Sequence, residues 1–133
     1  FAGALRTLPK HIRKLYVHAY QSWLWNSALE GMKRPAKDLP VPGFDTKLGK
    51  DVFSKTIKNL LESDNLMLDN FRCSRMPELA VEGEHREAIV KPADLKLGSF
   101  ESDDLNEGKT KVKLEFFLPK SSYATVLLKL LFT

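Results

Sequence analysis

Apolar positions along this chain change their spacing from segment to segment, and each spacing predicts an element. Over "LPKHIRKLYVHAYQSWLWNSAL", Ile12, Tyr16, Ala19, Trp23 and Leu24 fall at helical intervals, most of them three or four residues apart. Pro9 suits a first helical turn, where the N–H it lacks has no intrahelical partner anyway, so a helix of about five turns is expected to follow it. "RPAKDLPVPGFDTKLG" then holds Pro35, Pro40, Pro42, Gly43 and Gly49, a density of breakers that predicts an irregular connector. In "DVFSKTIKNLLESD", Val52, Phe53, Ile57, Leu60 and Leu61 predict a short amphipathic helix, begun by Asp51 and ending near Asp64.

The pattern then breaks up. Met76, preceding Pro77, is biased toward extended backbone. "EAIVKP" reads as a short strand and the acidic "FESDDLNEG" as a solvated loop. "KVKLEFFLP" alternates cleanly, which predicts a strand from Lys111 to Leu118 with Val112, Leu114, Phe116 and Leu118 toward the core. Ser121 or Ser122 is the expected N-cap of a following apolar helix, "YATVLLKLLF". Strands dispersed among helices give an α+β class and argue against a coiled coil, an all-β sandwich or a repeat solenoid.

Composition narrows the class further. The 133 residues are about one domain's worth, and 43% hydrophobic with 29% charged residues is ordinary for a globular chain. The apolar run Tyr123 to Phe132 is broken by Lys129 and is too short to span a bilayer, so no membrane segment is expected. A first residue of Phe, with no long apolar leader after it, reads as an internal piece of a longer protein. A single cysteine, Cys73, allows no internal disulfide and points to a reducing compartment, and the three histidines show no ligand spacing, so no metal site is expected.

The net charge of +4 permits an anionic partner. Its distribution is more informative: Lys10, Arg13, Lys14, Lys33, Arg34 and Lys37 crowd the first quarter of the chain. Lys10, Arg13 and Lys14 fall at the positive end of the first helix, where each cation costs a few tenths of a kcal/mol, on the order of 0.3, unless an anion is near.

Four stretches carry candidate chemistry. "LGKDVF" lacks the glycine and Ser/Thr of a phosphate loop, so Asp51 is read as a helix start. In "HAYQSWLWN" the aromatics are core residues and the amides caps, or else the face with Gln21 and Asn26 touches nucleic acid; the basic helix start favours the second reading. Arg86, beside the turn at Gly83, is either an exposed arginine or a phosphate contact. In "PKSSYAT", Lys120 and the helix amides form an anion site, or the serines only cap.

Taken together, these stretches resemble the TruD family of RNA pseudouridine synthases, its eukaryotic branch in particular. "RKLYVHAYQSWLWN" (Arg13 to Asn26) is similar to that family's Arg-x-x-Tyr-x-x-Ala-x-Gln-Ser-x-x-x-Asn motif, and "PVPGFDT" to its Pro-Gly-Phe-Asp. "DNLMLDNFR", "ELAVEGEHREAIVKPADL" and "FFLPKSSYAT" follow in the family's order, so the resemblance spans almost the whole chain. After Tyr-Ala-Thr the family has an Arg-Glu pair where this chain has Lys129 and Leu130.

The resemblance implies that residues 1–107 are mostly the TruD-specific insertion region and 108–133 a return to the catalytic core, as strand then helix. It implies isomerisation of uridine to pseudouridine on a flipped-out nucleotide. The family's catalytic aspartate lies in a Gly-x-Lys-Asp segment followed by Thr-x-Gln, upstream of the helix motif; this sequence lacks it, and Asp51 does not match. No catalytic residue, cofactor or metal is therefore assigned. The implied role is RNA grip, on tRNA as the family's usual substrate, and structural completion of the site by Lys10, Arg13, Lys14, Gln21, Asn26, Arg86 and Lys120. The implied partners are RNA and the rest of the same polypeptide, in the nucleus or cytoplasm. The rival readings are a catalytically inactive RNA-binding module and a structural interaction domain.

Overall fold

The computed structural model describes residues 2–119 and 122–132. They form two compact units, residues 1–89 and 90–133.

The first unit is built around one long helix. After a single turn, α1 (Ala2–Leu5), helix α2 runs from Lys10 to Glu30, and the Pro9 carbonyl accepts its first bonds from the Ile12 and Arg13 amides. The buried face of α2 is Gln21, Leu24, Trp25 and Ala28, extended by the partly buried Val17 and Tyr20. This corrects the expected core face. Of the residues assigned to it, Leu24 is buried, but Tyr16 is 65% and Trp23 45% exposed. Apolar residues lie on two sides of α2, and spacing alone does not say which side finds a packing partner.

That partner is α3 (Val52–Ser63), whose Phe53, Ile57 and Leu61 are buried. The Phe53 ring meets Trp25 edge-on at 6.5 Å between centroids. Helix α3 starts as expected at Asp51, whose carboxylate accepts from the Ser54 amide at 2.9 Å and the Ser54 hydroxyl at 2.7 Å. Those two donors, the amide first, hold the Asp51 carboxyl below the usual carboxylate range.

The expected connector between the helices contains a strand. β1 (Asp38–Val41) pairs antiparallel with β2 (Glu84–Glu87), with Leu39 opposite Arg86 and Pro40 opposite His85. Pro40 is tolerated because each strand of a two-stranded ribbon has an open edge. β2 also lies earlier than the expected "EAIVKP" strand, because pairing with β1 selects the charged Glu84–Glu87 over the apolar residues after it. Between α3 and β2, two short 3₁₀ turns, Leu68–Arg72 and Pro77–Leu79, bury Phe71 and Leu79. One cluster joins Leu24, Trp25, Ala28, Leu39, Val41, Phe53, Ile57, Leu61, Phe71 and Val81.

The second unit holds the hairpin β3 (Ala93–Ser102) and β4 (Thr110–Phe117), then helix α4 (Ala124–Phe132). β4 matches the expected alternation and ends one residue earlier than expected: Val112, Leu114 and Phe116, with Leu118 just beyond the strand, are half-buried, and Lys111, Lys113, Glu115 and Phe117 exposed. The predicted inward face is thus present, but no described residue of this unit is fully buried. β3 was not expected. Gly98 and two irregularities, between Ala93 and Lys96 and between Leu97 and Phe100, break its alternation, and its last residues fall in the stretch read as an acidic loop. The turn itself is held by Asp103, which accepts from the Leu105 amide and the Asn106 side chain.

Helix α4 begins at Ala124 and its first bond is accepted by the Tyr123 carbonyl, so Tyr123, not Ser122, holds the cap position. Ser121 and Lys120 lie outside the described residues.

The difference between the units has a measurable outcome. Phe53→Ala should lower stability by about 3–5 kcal/mol in denaturant melts. Phe116→Ala, at a half-buried position, should cost clearly less, yet more than Lys113→Ala on the exposed side of the same strand. Equal losses at Phe116 and Lys113 would contradict the register.

Candidate functional site

The polar chemistry of the first unit is organised by Gln21. Its side chain is 4% exposed, and its amide nitrogen donates to the Pro42 carbonyl at 2.8 Å and the Glu82 carbonyl at 3.2 Å. Those carbonyls belong to two segments that touch backbone to backbone. A Cβ on Gly43 would lie 2.2 Å from the Glu82 carbonyl carbon and the Gly83 nitrogen, and one on Gly83 would lie 2.1 Å from Thr46 Oγ1. The contact is stitched by bonds from Phe44 N to Val81 O (3.2 Å) and from Gly83 N to the Asp45 carboxylate (2.7 Å), and the first segment is held in shape by a bond from Gly43 N to Thr46 Oγ1 (2.8 Å). Glycine is required at 43 because any side chain there would enter the opposing main chain.

Beside this joint is a groove of about 460 Å³, lined on one side by Lys14, His18, Gln21 and Ser22 of α2 and on the other by residues 80–84 and Arg86. The Arg86 guanidinium lies 5.2 Å from the centre of the Trp25 ring and reaches Ser22 Oγ at 3.5 Å. Neither Lys14 nor Arg86 has a carboxylate partner among the described residues. Two cations from sequence positions far apart therefore converge on one concave surface, with the Glu82 and Glu84 segment on its far wall.

The basic helix start is resolved differently. Glu78, from the 3₁₀ turn Pro77–Leu79, places a carboxylate oxygen 2.8 Å from Arg13 Nη1 and 3.6 Å from Arg6 Nε. Arg13 also donates to the Leu8 carbonyl at 3.1 Å. The cation that sequence reading reserved for an external anion has an internal one. The Glu78 backbone N–H, followed by the Arg13 guanidinium, holds the Glu78 carboxyl below the usual range.

Of the residues singled out from sequence, Lys14 and Arg86 thus share the groove, and Gln21 stands at its floor with its amide nitrogen engaged by backbone. Arg13 is ion-paired, Lys10 and Asn26 are exposed on α2 and do not line the groove, and Lys120 lies outside the described residues. Sequence reading passed over His18 as a site residue. The signal available was the spacing of Lys14, His18 and Ser22, each four residues from the next, which makes a polar stripe along α2.

A second, apolar cleft of about 300 Å³ is lined by Tyr16, Val17, Tyr20, Leu61, Leu66, Met67, Asn70, Phe71 and Cys73. The Tyr20 hydroxyl donates to Asp64 at 2.6 Å, and burial together with that carboxylate pushes the phenol above its ordinary range. Burial likewise raises the Cys73 thiol, the opposite of what activates a thiolate nucleophile. Among the described residues there is no group of three or more metal-ligating side chains, and no helix is long and apolar enough to cross a membrane.

The family model described as tRNA pseudouridine synthase D (TruD) matches residues 1–39 and 31–131. The chain is 29% identical to a tRNA pseudouridine synthase D of Methanococcoides burtonii, over 97% of this chain and 40% of that protein. It is 31% identical to the Methanopyrus kandleri protein of the same description, over 97% of this chain and 34% of that one. The human pseudouridylate synthase 7 homolog is 27% identical, over 96% of this chain and 27% of its own length. In structure, the chain is similar to a tRNA pseudouridine synthase D (TruD) from Methanosarcina mazei, with a TM-score of 0.71 at 24% identity, covering 96% of this chain and 40% of that one. The chain thus spans at most about 40% of the length of these relatives.

Two outcomes follow from the joint and the ion pair. Gln21→Leu should destabilise the protein by about 1–3 kcal/mol in denaturant melts, because the buried Pro42 carbonyl and the partly buried Glu82 carbonyl lose their donor. Glu78 is a group whose folded-state pKa is depressed, so its stabilising effect is complete above the unfolded carboxylate range and fades as pH falls through the folded value. The stability gap between wild type and Glu78→Gln should therefore be largest near neutral pH and shrink on acidification toward about pH 3.

Proposed function

Because this chain belongs to the TruD family of pseudouridine synthases, we propose that it is the part of such an enzyme that grips RNA, tRNA in the first instance, and helps complete the site at which uridine becomes pseudouridine. The observation that carries this reading is the meeting of Lys14 and Arg86 on one groove, where neither cation is ion-paired among the described residues although Glu82 and Glu84 line the far wall. Unpaired cations on a concave surface attract a polyanion, and phosphate contacts of this kind position a nucleic acid without reading its sequence. Arg13, spoken for by Glu78, and Gln21, spoken for by backbone, support the groove and do not reach out of it. Lys10 and Asn26 on the exposed surface of α2, and Lys120 beyond the hairpin, are outer contacts in the same proposal.

In this reading residues 1–107 are mostly the family's insertion region, and β4 with α4 is the return to the catalytic core. The half-buried face of β4, with Phe116 and Leu118, then packs against the remainder of the polypeptide, which supplies the catalytic aspartate. The protein acts in the nucleus or cytoplasm.

Two measurements test this. The isolated chain should show no tritium release from uridine-labelled tRNA; turnover by this polypeptide alone would refute the division of labour. In the full-length protein, Lys14→Gln with Arg86→Gln should weaken tRNA binding. The slope of log affinity against log salt should also flatten by roughly 1.5 units, as two phosphate contacts cease to release counterions. Wild-type affinity and slope in the double variant would place the RNA surface elsewhere.

A further inference from the structure

His18 Nδ1 lies 2.9 Å from Gln21 Oε1, and the surroundings decide which of the two atoms donates. The Gln21 amide nitrogen faces two main-chain carbonyls, Pro42 O and Glu82 O, which only accept hydrogen bonds. The amide orientation is therefore fixed, and Oε1 is the atom turned to the histidine. An amide oxygen only accepts, so His18 Nδ1 carries the proton. In the neutral imidazole the other nitrogen, Nε2, is then an acceptor with a bare lone pair. Nε2 has no hydrogen bond among the described residues, its ring is exposed, and it lies on the groove shared by Lys14 and Arg86.

We infer that His18 Nε2 is a ligand-reading atom of this groove, and that it accepts a hydrogen bond from a ribose 2′-hydroxyl of the bound strand. The inference rests on the RNA reading above and adds a specificity to it. Phosphate oxygens are acceptors and find their donors in Lys14 and Arg86. A lone pair on the same groove as these cations is of no use to a phosphate and calls for a donor on the ligand. On a nucleic-acid backbone the donor adjoining every phosphate is the 2′-hydroxyl, and DNA lacks it. The tautomer is set by a buried residue, so the lone pair is presented before the ligand arrives. His18 thereby discriminates ribose from deoxyribose, while the two cations bind both.

The test uses the full-length protein at about pH 8, where imidazoles are ordinarily neutral, with one RNA oligonucleotide and its all-deoxy counterpart. His18→Asn places an amide N–H where Nδ1–H was, keeping the donor to Gln21, and removes Nε2. RNA affinity should fall by about fivefold, the worth of one neutral hydrogen bond, while DNA affinity stays within a factor of about two. His18→Ala, with a thermal melt to establish folding, should give the same loss of RNA preference. Equal weakening toward RNA and DNA would overturn the inference and make His18 a phosphate or packing residue. So would an unchanged RNA preference in both variants. If the Lys14→Gln, Arg86→Gln protein binds RNA as wild type does, the RNA reading of the groove fails, and this inference with it. A loss in that double variant alongside unchanged His18 variants sinks the ribose contact alone.

Discussion

The buried carboxamide of Gln21 is the joint on which the first unit depends. A polar side chain this deeply buried is stable only if each of its groups is paired, and here each is: the nitrogen by two carbonyls, the oxygen by His18. The pairing ties a helix to two segments about 40 residues apart in sequence, after β1 and before β2, whose main chains touch where only glycine fits. Leu24, Trp25 and Ala28 supply the apolar drive for packing on the same helix face, but apolar contact has no direction. The amide supplies direction, fixing which residues of β1 and β2 stand opposite α2. The groove inherits its shape from that registration.

Charge compensation then decides which cations remain available. At the start of α2 the helix amides, Arg6, Lys10, Arg13 and Lys14 all add positive potential, and Glu78 answers two of the four side chains, Arg6 and Arg13. Lys14, one residue on from Arg13, is left without a carboxylate among the described residues and points with Arg86 into the groove. The same carboxylate also fastens the turn Pro77–Leu79 to the helix, so an electrostatic contact and a packing contact coincide. Within this groove, Lys14 and Arg86 are thus the cations that the fold has not ion-paired.

The elements legible in the sequence are those whose cause is local. α3 could be read with its cap because Asp51 and Ser54 are three residues apart, and β4 because alternation over eight residues needs no outside information. The length of α2 was legible, its buried side was not, because Tyr16 and Trp23 make an apolar stripe as regular as the one that packs. β1 was hidden by its proline, which only a two-stranded ribbon forgives, and β3 by Gly98 and the register shifts around it. For the groove, Lys14 and Arg86 were visible as cations, but their meeting across 72 positions of sequence is a product of tertiary structure. His18 looked like a lone histidine because the fixed neighbour that gives its ring an orientation is itself oriented by the distant Pro42 and Glu82.

The hairpin of β3 and β4 has a ladder of hydrogen bonds without an interior beneath it: no described residue from 90 to 132 is fully buried. A two-stranded ribbon of that kind is marginal in water by itself. In hydrogen exchange its amides would open by local fluctuation at small free-energy cost, while those of α2 and α3 would wait for the first unit to open as a whole. The two units are therefore two levels of one energy landscape. The buried cluster lies in the first unit, and a surface that covered the Val112, Leu114 and Phe116 side would lend the hairpin the burial it lacks, so that its rigidity would report on assembly more than on sequence.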